Sequence, residues 1–330
     1  MKKYLKSSSF LIGSLFIVGL LIVSFIYSFY LKKLIQPPPT FFYNEEGRVV
    51  DTFPFPPSLR FLFGVDRHGR DVFWSVIDGA KYTILFAIII GCFRVFFGML
   101  FGVIYGVYLQ KFRFLFQAFE RAFRFVPAVF LVFMFFNVNF FSQTSSRLTL
   151  LISQIMVLTI VALPPITSVI GNEVNFYQKN EFITSTRIIG GSKFWVIRKH
   201  IIPFLRSRLL LMFVQQIIQV LLLMVHLGVF KMVIGDSQIV NTGERDVTVS
   251  LSNEWSGLIG LSYAELMLDK WIVIGPSIGF VLTILSFTLI KKGIENPTVE
   301  NKEKKLLRRR SSRKAKHEIM MDFSFVNEER

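Results

Sequence analysis

Residues 82–109, "YTILFAIIIGCFRVFFGMLFGVIYGVYL", decide how the rest of the chain is read. The stretch runs for 28 residues with one formal charge, Arg94. A helix needs only about 20 apolar residues to cross the hydrocarbon of a bilayer. The composition points the same way. Of 330 residues, 52% are hydrophobic and 38 are Phe, more than a water-soluble domain needs to fill one core.

Working outward, five further apolar runs accompany this one, so the expected fold class is an all-α membrane protein with six transmembrane helices. They lie at about 9–31, 82–109, 123–141, 148–170, 209–230 and 271–290. The first follows "MKKYLK". Its apolar run exceeds the roughly 7 to 15 residues of a secretory signal, and no small-x-small cleavage site follows, so it is read as a retained span. Pro164 and Pro165 are expected to bend the fourth span.

The net charge of +16 raises the possibility of a nucleic-acid partner, and the placement of the charge argues against it. With the amino end inside, 26 of the Lys and Arg residues fall on the inner side and 11 on the outer. That is the bias of an inserted protein, and it predicts both termini in the cytoplasm. The run "NKEKKLLRRRSSRKAKHE" at 301–318 lacks the aromatic platform that single-stranded nucleic acid stacks on. It reads as a disordered tail that attracts anionic lipid. Cys92 is the single cysteine, and His68, His200, His226 and His317 are scattered, so no disulfide or metal site is expected. No nucleophile, acid–base pair or metal cluster converges by spacing, so no catalytic residue is assigned.

Two stretches between the spans carry more order than a connection needs. The outer loop over 34–80 is Pro-rich and reads as irregular, ending in "FGVDRHGRDVF" at 63–73. There Gly64 and Gly69 permit tight turns. Asp66, Arg67, Arg70 and Asp71 form either a compact charge network or a solvated turn with weak surface pairs. A second outer segment, 231–270, is expected partly on the membrane surface, where Trp255 suits the interface.

On the inner side, "EFITSTRIIGGSKFWVIRKHIIP" at 181–203 predicts two short helices. Asn180 is the expected N-cap of the first, and Glu181 places negative charge in its first turn. Gly190 and Gly191 offer a left-handed stop, and Ser192 caps a second helix that is expected to end before Pro203. Thr184, Ser185 and Thr186 let a partner approach the first helix closely, and Phe194, Trp195, Ile197 and Ile201 are expected to face the bundle. Such an element is either a dock for a cytoplasmic partner or an interfacial amphipathic loop.

The segment resembles the cytoplasmic "EAA" loop of ABC importer permeases in the peptide and nickel group. That pattern reads E-Y-V-x-A-A-R-x-x-G-A-S, then H-I-L-P, and is matched here by Glu181, Arg187, Gly190, Ser192, His200, Ile201 and Pro203. The 63–73 stretch resembles the same group's G-T-D-x-x-G-R-D-V, through Gly64, Asp66, Gly69, Arg70, Asp71 and Val72, followed by Gly79 and Ala80. The likeness covers about 63–296 and points to the C-type subunit of dipeptide or oligopeptide importers. It implies a type I ABC importer permease (MetI-like) fold in the bacterial cytoplasmic membrane. It also implies a heterodimer with a B-type permease, two cytoplasmic ATPase subunits and an extracytoplasmic substrate-binding protein. ATP and Mg would sit on the ATPases, with no cofactor on this chain. The loop that grips the ATPases would include Glu181, Thr184, Ser185, Thr186, Arg187, Gly190, Ser192, His200 and Pro203. Thr184, Ser185 and Thr186 depart from the family's Glu, Ala and Ala. The stretch from His226 to Gly257 replaces a shorter connection.

The expected organisation is therefore a tail and first span over 1–33, an extracytoplasmic loop over 34–80, a permease core over 81–295 with its coupling loop at 171–205, and a basic tail over 296–330. Arg94, about 12 residues into its span and so roughly 18 Å deep, is a candidate pathway residue or a member of a buried ion pair. His226 is read as a hydrogen-bonded bundle residue. A secondary transporter would need its own ion-coupling groups in the membrane, and apart from Arg94 the spans are nearly free of charge. A non-transport assembly protein is the remaining alternative.

Overall fold

The computed structural model describes residues 7–36, 38, 41–43, 49–137, 146–235, 237–241, 246–250 and 252–295. The basic amino-terminal residues, two of the three consecutive prolines, the outer end of the expected third span and the 296–330 tail lie outside the described residues.

Helix α1 (Ser8–Leu34) contains one π turn, Tyr27–Leu31. A short antiparallel hairpin follows, β1 (Phe41–Tyr43) with β2 (Val49–Thr52). The loop then builds a small core of its own from Phe55, Phe61 and Val65. The 34–80 stretch is therefore less irregular than its prolines suggest. Helix α2 (Val72–Tyr108) is the longest at the start of the bundle and begins ten residues before the expected span. Asp71 is the cause: its carboxylate accepts the N–H groups of Phe73 at 2.8 Å and Trp74 at 3.3 Å, so the helix is capped there and runs on into the apolar stretch.

Helices α3 (Arg113–Phe125) and α4 (Ala128–Asn137) come next, separated by Pro127. Then α5 (Arg147–Ile160) and α6 (Leu163–Gln178) form a pair bent by 47°. The break falls where Pro164 and Pro165 cannot donate to the preceding turn, as the sequence predicts. Helix α7 (Glu181–Ile188) leads into α8 (Lys193–Val229). A second hairpin, β3 (Ser237–Asn241) with β4 (Asp246–Ser250), precedes α9 (Trp255–Leu261) and the closing α10 (Trp271–Glu295).

Among the described residues, α1, α2, α8 and α10 are each long and apolar enough to cross a membrane, and the bent α5–α6 pair supplies a fifth crossing if it is one span. The protein is a multi-pass, all-α membrane protein with two small hairpins between helices. Large apolar side chains such as Leu15, Phe96, Met156 and Val281 face outward. That is the ordinary state of a helix whose surroundings are as apolar as its core.

Lipid gives no hydrophobic reward for helix association, so close van der Waals packing must hold the bundle together. The α2–α6 contact shows how. Gly98, Gly102 and Gly106 recur at four-residue spacing. A Cβ at Gly102 would press on Ile170, and one at Gly106 on Val174 and the Gly171 carbonyl. Their absence lets the two backbones meet.

At the end of the bundle where α2 begins, Trp255 is fully buried. Its indole N–H donates to Val76 O at 2.8 Å, its backbone N–H donates to Thr83 Oγ1 at 3.0 Å, and its ring meets Phe280 edge-on. This corrects the expectation of an interfacial tryptophan. The polar edge that would have sought headgroups finds its acceptor inside the bundle instead. Glu254, wholly buried, caps α9 by accepting the N–H groups of Ser256 and Gly257 at 2.9 and 2.6 Å, and it also accepts from Ile234 N at 3.2 Å.

Candidate functional site

The loop after α6 lies at the opposite end of α2 from the Asp71 cap. Asn180 takes the N-cap position of α7 in extended conformation, although its side chain makes no capping bond. Glu181 sits exposed in the first turn. The helix stops where the glycines require. Gly190 adopts φ +97°, its N–H donates to Arg187 O at 3.0 Å, and Gly191 N–H reaches back to Thr186 O at 3.0 Å. These two bonds make a complete Schellman stop. Ser192 then caps α8, its hydroxyl accepting the Trp195 N–H at 3.3 Å.

The second helix does not end before Pro203. It continues through that residue as the 37-residue α8. A π turn over Ile197–Ile201 precedes the proline, with Ile202 N–H bonded back to Ile197 O. The wider turn shifts the bonding register just where Pro203 has no N–H to give, and the helix survives.

The loop has a buried underside and an exposed top. Ile183, Val196, Ile201 and Leu205 are buried with Ile170 and Val174 of α6. Phe194 and Trp195 do not join them. Phe194 is 69% exposed, and Ile188 and Ile189 at the tip of α7 are 81% and 87% exposed. Helical geometry explains the correction: Val196 and Ile197 face the bundle, so Phe194 and Trp195 must face away.

Thr184 and Ser185 are exposed and Thr186 is half-buried. Ser185 Oγ donates to Glu181 O at 3.0 Å and Thr186 Oγ1 to Phe182 O at 2.7 Å. Both hydroxyls are folded onto their own helix, which leaves its outer surface smaller and less polar than the letters suggest. His200 sits edge-on between Phe182 and Trp195, with Nε2 buried and unbonded among the described residues. Arg187 donates to Gln178 Oε1 at 2.8 Å, and Gln178 donates to the Gly106 carbonyl at 2.9 Å. A side-chain relay thus ties the tip of α7 to the end of α2. Sequence reading missed it because Gln178 belongs to neither motif.

At the other end of α2, the 63–73 turn is tightly built. Gly64 and Gly69 adopt φ +72° and +70°. Asp66 is buried and accepts from His68 N at 2.9 Å and Arg70 N at 2.8 Å, and it takes the Arg70 guanidinium in a fork at 2.8 Å. Arg67 turns away to Glu265 at 2.8 Å, and Asp71 is the helix cap, so the four charges divide into two ion pairs and a cap rather than one network. Burial lowers the His68 imidazole pKa, against the opposing pull of Asp66. From Arg70 the contacts continue to Asn253 at 3.4 Å, and Asn253 donates to Asp78 at 3.1 Å. Asp78 pairs with Lys81 at 2.5 Å.

Arg94 lies within α2, about 33 Å along the helix from Val72 and about 21 Å from Tyr108. It is 3% exposed. Its Nε and Nη2 donate to Leu158 O at 3.0 and 2.7 Å, and its Nη1 donates to Gln216 Oε1 at 3.4 Å. The proline break makes this acceptor available, because Ala162 N–H bonds to Thr159 O rather than to Leu158 O. No buried ion pair forms at Arg94 among the described residues. His226 Nδ1 lies 2.6 Å from Leu222 O, one turn back on its own helix, and the side chain is exposed rather than held across the bundle.

Over 243 residues the chain is 25% identical to the glutathione transport system permease protein GsiD of Salmonella typhimurium, covering 73% of this chain and 72% of that protein. It is 24% identical over 245 residues to the protein of the same name from Escherichia coli O157:H7, with the same shares covered. The likeness is that of a divergent ABC importer permease of the peptide group. No protein-family model matches the chain. As a permease subunit it takes its energy from partner ATPases and has no catalytic role of its own.

Proposed function

We propose that this chain is the C-type half of a permease heterodimer that imports short peptides across the bacterial cytoplasmic membrane. Glutathione, named for the relatives, is the first cargo to try. In this reading the bundle has the six spans and type I (MetI-like) arrangement of its family, with α4 inside the third span. The organisation follows the boundaries 1–33, 34–80, 81–295 and 296–330, with both termini cytoplasmic. A B-type permease faces it, an extracytoplasmic binding protein delivers cargo near the 63–73 turn, and two ATPases that bind ATP and Mg engage the 171–205 loop.

The observation that carries the reading is the two-faced loop. Its underside is locked into the bundle by Ile183 and Ile201, while Ile188, Ile189 and Phe194 project with nothing over them among the described residues. A surface loop with no partner would not keep a helix of eight residues, too short to stand alone in water, ending in two exposed apolar side chains with a third, Phe194, beside it on α8. When the ATPases close on nucleotide, α7 moves with them, and its rigid seat passes the motion to α6 and α8. An ion-coupled carrier is not favoured.

The test is reconstitution. Proteoliposomes holding this chain, its B-type partner, both ATPases and the binding protein should take up a labelled short peptide on ATP addition. Uptake driven by an ion gradient without ATPases would overturn the reading. Lys193, exposed at the start of α8, should react with a membrane-impermeant amine reagent only in inverted vesicles, and labelling only in right-side-out cells would place the loop on the wrong side.

A further inference from the structure

Arg94 forms part of a cavity of about 410 Å³. The cavity opens where the α5–α6 break, the start of α4 and the far half of α8 meet α2, with Pro127, Pro165, Gln219 and His226 among its walls. Most of the lining is apolar. The polar groups come from one side: Gln219 and His226 line the cavity from one face of α8, seven residues apart, and Arg94 reaches that face from α2 through its bond to Gln216 behind the wall.

A guanidinium has five N–H donors, and the bonds to Leu158 O and Gln216 use three of them. Two remain, on a cation that has no carboxylate within ion-pair distance among the described residues. A desolvated cation in an apolar bundle without a counter-ion is costly to keep. The Leu158 carbonyl accounts for its position, since a cation suits the end of a broken helix. It does not account for the charge being left open to a cavity. Planar, forked donors in a low-dielectric site match the two oxygens of a carboxylate, the anion that every free peptide carries at its C-terminus. The volume suits a peptide of two or three residues.

Resting on the importer reading above, we infer that this cavity holds the C-terminal carboxylate of a passing peptide, with Arg94 supplying the charge and Gln219 a neutral hydrogen bond. Arg94 then has two tasks: it secures the bend of the α5–α6 pair, and it is the group that distinguishes an acid from an amide in transit.

The experiment uses the complete assembly in proteoliposomes, with saturating binding protein. Initial uptake of labelled trialanine is compared with uptake of trialanine amide for the wild type and for Arg94→Gln. The binding protein is common to both, so its own preference cancels between them. The acid preference should fall by about tenfold in Arg94→Gln, the usual weight of one charged hydrogen-bonded contact. An unchanged preference in an assembled, ATP-hydrolysing Arg94→Gln complex would overturn the proposal. Should that variant fail to assemble, Gln219→Cys in a Cys92→Ser background decides. Its labelling by a maleimide should be blocked by the acid at about tenfold lower concentration than by the amide, and equal protection would overturn the proposal. Uptake of neither peptide by the wild type is a different failure. It removes the peptide reading itself, and this inference with it, before any variant is compared.

Discussion

The turn before α2 and the loop after α6 sit at opposite ends of the same helix, and they are finished to different degrees. In the turn, polar groups are satisfied at home: Asp66 closes on Arg70 and two backbone N–H groups, Asp71 on the first turn of α2. In the loop, the backbone is as well satisfied, by a Schellman stop and a serine cap, but the side chains are not. Ile188 and Ile189 project into open space, and His200 keeps a buried nitrogen with no partner among the described residues. A finished turn stabilises the chain that contains it. An ordered backbone that displays apolar side chains is what the proposed docking of an ATPase would cover.

That contrast can be broken most severely at Gly190. Its φ of +97° is closed to proline, which holds φ near −65°, and the Gly190→Pro chain would also lose the N–H bonded to Arg187 O. ATP-driven uptake should fall by more than about tenfold while membrane insertion, followed by fractionation, is unchanged. A charge reversal at Arg187, which breaks the relay to Gln178 and Gly106, should act in the same direction.

At the other end the effect should appear in stability. Asp66→Asn removes one partner of a mostly buried fork, which in buried pairs is destabilising by about 3 to 5 kcal/mol. Because Arg70 is partly exposed, the lower end, about 3 kcal/mol, is expected, read as a lower Tm by circular dichroism in detergent. Wild-type Tm in Asp66→Asn would mean that the turn is decorative.

Glu254 offers a gentler probe through pH. Burial raises its carboxyl from 4.5 to about 7, against the bonds donated by Ser256, Ile234 and Gly257. The folded chain therefore holds this proton more tightly than the unfolded chain does. Its contribution is fully present below about pH 4.5 and is lost as pH rises through about 7. Tm should decline by a few degrees across that window, and Glu254→Gln should flatten this part of the slope. The smallest effect is expected at Ser192→Ala, which removes an exposed cap worth about 1 kcal/mol, should trim uptake without abolishing it, and should leave the 63–73 end untouched.

Much of this was legible in the sequence, wherever a local rule decided the outcome. A glycine pair after a short apolar helix, a serine before "KFWV" and two prolines in a span each act through their own backbone, and each does what its chemistry dictates. The reading fell short where a distant partner decided. Trp255 looked interfacial because its acceptor, Val76 O, lies 179 residues away in sequence. Pro203 looked like a terminator because nothing in the letters announces the π turn that accommodates it. Phe194 and Trp195 were assigned to the bundle on hydrophobicity alone, when Val196 and Ile197 already fill that face. The recurring glycines at 98, 102 and 106, and the glutamines and histidine along α8, were visible signals whose meaning depends on which helix lies opposite.

The unbroken course of α8 has a mechanical consequence. By helical rise it is a rod of about 55 Å, with Ser192 and the loop at one tip and Gln219 and His226 about 40 to 50 Å along it. If the loop end is held and the rod tilts by about 5°, those two side chains swing by some 3 to 4 Å. That is about the width of a methyl group, enough to open or shut one wall of a small cavity. A chain that had ended this helix at Pro203 would have put a joint in the lever and absorbed the motion at its base.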